Sequence, residues 1–304
     1  MAGKFLRSFG IALGALAAAV PGFARAAEGQ PSPGEIGFQD SVTPIADSIH
    51  VFHNGILLWM AIGISLLVLA LLIVLVVRFN ARANPTPARF THNTLVEVIW
   101  TALPVIVLVI IAIPSFAVLT DQMTIPDGQR KYLGSNIFSF GSVEVPAPAL
   151  TVKVTGSQWY WTYEYVDQQK SFDSAMLTEE ERLAQNPPQP RLLAVNNMLV
   201  VPVDATVRVQ VTAADVIHAF AVPSFGIMTD AVPGRLNETW FNARKEGIFY
   251  GQCRELCGKD HAFMPIAVRV VSAEVYAAFM AALEAGSIAD ANATLPPLSA
   301  QPAA

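Results

Sequence analysis

Cys253 and Cys257 are the only cysteines of the chain, and they stand four apart in the run CRELCGKDHAFM over 253–264. His261 follows four residues later and Met264 three beyond that. Thiolate, imidazole and thioether are soft donors, a set that suits copper in electron-transfer sites. His218, upstream of this run, offers a second imidazole; it and His261 are the only histidines beyond the two apolar runs described below. A mononuclear blue-copper site uses one thiolate, so the second would be left over. Two thiolates can instead bridge two metal ions, each then needing one histidine and one weak donor. Met264 can cap one ion, and a main-chain carbonyl of the 253–257 loop can cap the other. Two other assignments compete. Cysteines at this spacing can close a disulfide, which an exported protein permits, but His218, His261 and Met264 then have no task. Zinc is disfavoured, because methionine is a poor zinc ligand.

A second chemical run is GSQWYWTYEY over 156–165. Alternation along a strand sends some rings inward, and packing in the core is the default for any one of them. Three consecutive aromatics, Trp159 to Trp161, must still place one ring on the other face. An exposed indole beside a redox metal would serve as an electron entry point and a binding anchor. From Asp121 onward there are 13 basic and 19 acidic residues, a net of −6. Most of these charges are solvated surface, yet an acidic face also steers a basic soluble partner.

The frame that must hold these residues begins in a membrane. Of 304 residues, 53% are hydrophobic and 14% charged, against roughly 25% charged in an ordinary soluble domain. This excludes a purely soluble chain and, for most of its length, disorder. A net charge of −5 argues against the basic face that nucleic acid needs. The stretch 56–77 carries no charge and, at 1.5 Å per residue, spans about 33 Å, enough to cross a bilayer. A second uncharged run, 99–119, contains Pro104 and Pro114, breaks that neighbouring helices absorb in a membrane. The linker holds Arg78, Arg82 and Arg89 without an acid and is expected on the cytoplasmic side. At the N-terminus, Lys4 and Arg7, the apolar stretch 9–20 and Ala24-Arg25-Ala26 form a secretory leader pattern, expected over 1–27. Glu97, just ahead of the second run, is either a carboxylate at a helix N-terminus or a proton entry group for a partner subunit.

The remainder reads as all-β. Strands are expected at 150–155, 159–166, 191–201, 206–212, 219–222, 239–241, 247–250 and 266–271, spaced as in a sandwich or barrel. A helix is expected at 272–285, where Val275, Phe279 and Leu283 share a face. The domains are then a leader (1–27), an N-terminal segment with helical hairpin (28–120), a copper domain (121–285) and a flexible tail (286–304).

Through GSQWYWTYEY, DVIHAFAVPSFGIMTDAVPGR and YGQCRELCGKDHAFMPI, the chain resembles cytochrome c oxidase subunit II in its bacterial, aa3-type exported form. The likeness runs from about 41 to 276. It implies a membrane-anchored all-β fold: a two-helix transmembrane hairpin followed by a cupredoxin-like β-barrel. It implies a dinuclear copper A centre held by His218, Cys253, Cys257, His261, Met264 and the Glu255 carbonyl. It also implies a magnesium ion, shared with subunit I, at the Glu255 side chain, and electron entry from cytochrome c at Trp159. Glu164, Asp173, Asp215 and Asp230 match acids that dock cytochrome c, while a further family acid is replaced by Asn196. Glu97 matches the mouth of a proton channel into subunit I. The implied partners are subunits I and III, cytochrome c and membrane lipid, with the copper domain in the periplasm of a bacterial inner membrane. Electrons would pass to haem in subunit I, where oxygen is reduced to water with proton translocation. A quinol-oxidase subunit would lack the copper ligands, and nitrous oxide reductase would need further histidines. A structural subunit with Cys253 and Cys257 as a disulfide is the remaining alternative.

Overall fold

In the computed structural model, which describes residues 29–32, 34–86, 88–136 and 141–298, the chain turns helical at Pro44, well before 56. The expected leader, 1–27, lies outside the described residues. Thr43 caps helix α1 (Pro44–Phe52): its hydroxyl accepts from the Ala46 N–H, and Pro44 sits where a missing N–H costs nothing. A π-helical turn, His53–Leu57, carries the chain into α2 (Leu58–Arg78). The apolar run is therefore the C-terminal part of a longer helical span. Hydropathy missed α1 because it is two-faced. Ile45, Ala46, Ser48 and Phe52 are buried, while Asp47 reaches out to the Arg244 guanidinium, at 2.7 Å from each of two nitrogens.

Helix α3 (Thr94–Met123) likewise exceeds the expected 99–119 at both ends. The Asn93 side chain accepts from the Val96 N–H, and the Glu97 carboxylate accepts from the Asn93 N–H at 3.2 Å. This reciprocal cap starts the helix, and Glu97 does serve as its first-turn carboxylate. Pro104 and Pro114 both lie within the helix without ending it. Both helical spans are long and apolar enough to cross a membrane.

Asp121, near the end of α3, is the joint to the rest of the molecule. Its buried carboxylate accepts from Arg130 at 2.9 Å and from the Leu133 N–H at 2.7 Å, and its carbonyl accepts from the Trp240 indole at 2.9 Å. Past it lies a small hairpin, β1 (Lys131–Tyr132) and β2 (Val143–Glu144). One five-stranded sheet then contains β3 (Leu150–Ser157), β4 (Tyr160–Tyr165), β5 (Lys170–Ser174), β7 (Thr206–Ala213) and β10 (Asn237–Asn242), in the order β10-β7-β3-β4-β5. The other contains β6 (Leu199–Pro202), β8 (His218–Val222), β9 (Ile227–Ala231), β11 (Gly247–Cys253) and β12 (Pro265–Val271), in the order β6-β12-β11-β8-β9. Val152, Val154, Trp161, Tyr163 and Val209 of the first sheet meet Phe220, Phe249, Ile266 and Val268 of the second in one core. This is the expected two-helix anchor with a cupredoxin-like β-domain.

Several local expectations are corrected. The segment 191–201 is a strand only at its end, because Leu192 adopts φ 63° and Asn196 bonds back to the Ala175 N–H. Strands β5 and β9 and helix α4 (Glu179–Ala184) were not expected, although Thr178 and Glu181 form a capping box that announces α4. Helix α5 (Ala273–Ala285) forms as expected, capped by Ser272. The stretch after it is not a loose tail as far as 298. Helix α6 (Ile288–Ala293) has its own Ser287–Asp290 capping box, Ala291 is fully buried, and Arg269 holds the Pro296 carbonyl.

Candidate metal centre

Three elements converge on the site. Strand β11 ends at Cys253, a loop follows, a short turn at His261–Phe263 comes next, and β12 begins at Pro265. The loop is closed at its base by the Cys253 N–H donating to the Met264 carbonyl. Strand β8, whose Phe220 pairs with Cys253, starts at His218. The register of two adjacent strands therefore sets His218 beside the cysteine loop.

The donor atoms then lie within a few ångströms of one another. Cys253 Sγ is 3.9 Å from His218 Nδ1, 3.9 Å from Cys257 Sγ and 3.2 Å from the Glu255 carbonyl oxygen. Cys257 Sγ is 3.6 Å from His261 Nδ1 and 3.4 Å from Met264 Sδ. His218, Cys253, Cys257 and Met264 are buried, and His261 is half-buried. A sulfur separation of 3.9 Å is not a disulfide, whose bond is about 2.05 Å. Here Cys253 and Cys257 are not joined: both thiols are free.

This donor set fits a pair of soft cations. Burial, and next the neighbouring Cys253, push the Cys257 thiol up to about 12. Two adjacent thiolates in such surroundings require positive charge between them, which metal would supply on displacing the protons. Two thiolates, two imidazoles and two weak donors, Met264 Sδ and the Glu255 carbonyl, are donors enough that they could hold two such ions. The Glu255 side chain itself is exposed.

The surroundings orient the ligands. Asp215, expected as a docking acid, is drawn into the site: its carboxylate lies 2.9 Å from His218 Nε2 and accepts N–H groups from Gln158 at 2.7 Å and Val216 at 2.6 Å. Burial pushes its pKa up, but these bonds outweigh it and hold the carboxyl below its ordinary range. With Nε2–H held there, Nδ1 is left free to face the sulfurs. The Gln158 amide also donates to the Cys257 carbonyl at 2.7 Å, tying the aromatic run to the metal loop. Trp159 is half-buried, and the Lys259 ammonium stands 5.7 Å above its ring. Trp161, the inward ring of the run, is fully buried behind the site. It meets the His218 ring edge-on at 6.0 Å and donates to the Met264 carbonyl at 3.4 Å. At Gly156 a Cβ would lie 3.0 Å from both the His218 and Trp161 rings. Gln158, Trp161 and Gly156 were missed as site residues, although strand alternation already pointed Trp161 inward.

The remaining expected residues lie elsewhere. Glu164 pairs with Lys153 across β3 and β4 at 3.6 Å, and Asp173 accepts from the Thr162 hydroxyl at 2.6 Å. Asp230 is exposed on β9. Glu97 is at the opposite end of α3, about 36 Å from Asp121 by helical rise.

Comparison with known proteins agrees with this architecture. Residues 31–118 match the family model for the transmembrane domain of cytochrome c oxidase subunit II, and 150–271 match the model for its periplasmic domain. A probable cytochrome c oxidase subunit 2 from Rickettsia bellii is 48% identical over 246 residues, covering 81% of this chain and 82% of that one. Cytochrome c oxidase subunit 2 from Cereibacter sphaeroides is 43% identical over 274 residues, covering 85% and 84%. The crystal structure of the periplasmic domain of subunit II of cytochrome oxidase from Bradyrhizobium japonicum is 57% identical. It covers 46% of this chain and 97% of its own, with a TM-score of 0.42. Two family models that together cover most of the chain, and relatives 43–48% identical over more than four-fifths of both sequences, show that the chain belongs to the cytochrome c oxidase subunit II family.

Proposed function

We propose that this chain is the electron inlet of a haem-copper oxidase, taking electrons from cytochrome c at a dinuclear copper A centre and passing them to haem in subunit I. The observation that carries this reading is the convergence of two free thiols, two imidazole nitrogens, a thioether and a carbonyl within one buried cluster. His218, Cys253, Cys257, His261, Met264 and the Glu255 carbonyl would hold the copper pair, which supplies one-electron exchange when bound. The chain's own residues keep that exchange cheap. A loop closed between two strands, a histidine fixed by Asp215 and a methionine backed by Trp161 hold every donor nearly still.

Trp159, tied to the metal loop through Gln158, is the entry point for the electron. Glu164, Asp173, Asp215 and Asp230 attract a basic cytochrome c, although Asp215 is spent mainly on His218. The exposed Glu255 carboxylate supplies one ligand of a magnesium ion at the contact with subunit I. Glu97, at the start of α3, opens the proton path into subunit I, where oxygen is reduced with proton translocation. Subunit III completes the assembly, and the β-domain lies on the periplasmic side of a bacterial inner membrane. Before metal enters, the two thiols must be kept from pairing, which calls for a thiol–disulfide reductant as a further partner.

The test is copper content and electron spin resonance of the full chain in detergent, reconstituted with copper. Two coppers per chain sharing one unpaired electron equally are expected. A single copper with ordinary blue-copper hyperfine splitting, or no copper, overturns the reading.

A further inference from the structure

Where the π-helical turn and α3 approach the β-domain, an open groove of about 660 Å³ lies between them. Its walls are Ile56, Ile110, Ile113, Pro114 and Ala117, and Arg130 and Lys131 stand at its rim. Along α3 the groove runs from Ile110 to Thr120, about 15 Å by helical rise. That is half of a hydrocarbon core about 30 Å thick. The groove thus begins at the polar boundary near Asp121 and descends to the depth of acyl chains.

Such a gradient selects an amphipathic occupant, and the rim charges specify its head. Asp121 also borders the groove, but both its oxygens are engaged, one by Arg130 and the other by the Leu133 N–H. Lys131 pairs with Glu144 at 3.0 Å, with side chains 55% and 79% exposed. An ion pair in that much water contributes little, so Lys131 is available to a phosphate. Arg130 is fixed by Asp121 at 2.9 Å and stacked 5.3 Å from the Tyr132 ring, so its position requires no ordering when a ligand arrives. A neighbouring apolar membrane helix would match the walls but bring no anion to Lys131, whose own ion pair is exposed and weak. An acidic lipid answers both.

We propose that this groove binds one anionic phospholipid, with an acyl chain along α3 between Ile110 and Ala117 and the phosphate held by Arg130 and Lys131. The site is separate from the metal centre and stands whether or not copper binds there.

The test uses the full chain, purified from membranes in mild detergent with the subunits that accompany it. Native mass spectrometry reads the lipid retained, and titrations with phosphatidylglycerol and phosphatidylcholine compare the two. One phosphatidylglycerol per chain is expected, held in preference to phosphatidylcholine. Lys131→Glu should weaken retention about tenfold, since each basic residue adds to the attraction of an acidic lipid. Ile113→Trp, which fills the groove from a position 67% exposed, should do the same, while Leu66→Trp, further down α2, should change nothing. Both groove positions are exposed enough for the variants to fold, and melting in detergent checks that they have. Equal retention by wild type and both variants overturns the proposal. So does phosphatidylcholine bound as tightly as phosphatidylglycerol, or a cross-link placing another subunit's helix in the groove.

Discussion

The carboxylate of Asp215 serves three partners at once, the His218 ring and two backbone N–H groups. Removing its charge while keeping its shape should therefore loosen metal without unfolding the domain. Asp215→Asn is expected to lower copper affinity about 10- to 100-fold, the usual effect of losing a ligand's hydrogen-bond partner; competition against a chelator measures it. Gly156 tests the packing behind the same imidazole. Gly156→Ala would press a methyl group to 3.0 Å of two rings that are both buried. A cost of about 1–3 kcal/mol is expected from overpacking, read as an earlier denaturation midpoint, together with weaker copper loading. The donors that the structure brings together were legible because donor type and spacing are written in the chain. Asp215 was not: three residues before a histidine it reads as one more surface acid, and only the turn into β8 folds it back onto the ring. Trp161 was half legible. Alternation sent it inward, but nothing local says that the inward side is the back of the metal site.

Among the elements, those with a strong period or a long apolar run were readable, and those defined by neighbours were not. Strands β3, β7 and β12 alternate or run apolar and were expected within a few residues. Strand β5 reads KSFDS, with one apolar residue, and exists because β4 offers it a ladder from Tyr165 to Trp161. Helix α1 was hidden because half its surface faces the β-domain and half does not. The tail helix α6 was hidden because alanine and proline around it suggest looseness, whereas Ser287 and Asp290 cap it. That cap predicts a pH response. Hydrogen bonds from the Ser287 side chain and backbone hold the Asp290 carboxyl below its ordinary 3.8. A carboxyl lowered in the folded state contributes stability that is complete above its unfolded value and lost as pH falls through the folded one. Amide protection over 287–294 should thus be complete at neutral pH and decline in acid, below 3.8. In Asp290→Asn that decline should vanish, which hydrogen exchange at matched intrinsic rates would reveal.

At the scale of the molecule, the membrane hairpin and the β-domain are joined at two separated places. On one side Asp47 of α1 grips Arg244, and on the other Asp121 of α3 gathers Arg130, the Leu133 N–H and the Trp240 indole. Asp121→Ala leaves a donor of the β-domain buried without a partner and should cost about 1–3 kcal/mol. Thermal melting of the full chain in detergent should show it, with copper ligation in the surviving folded fraction unchanged. Neither joint was legible in the sequence, since each links residues far apart in the chain through charges that look like ordinary surface. A domain hung from one flexible tether wanders over a radius that grows with the square root of the tether's length. A domain bolted at two points does not wander: its cysteine loop keeps one height and one heading relative to the helical hairpin. On the proposed function, the soluble donor therefore meets a fixed berth, and the search is performed entirely by the visitor.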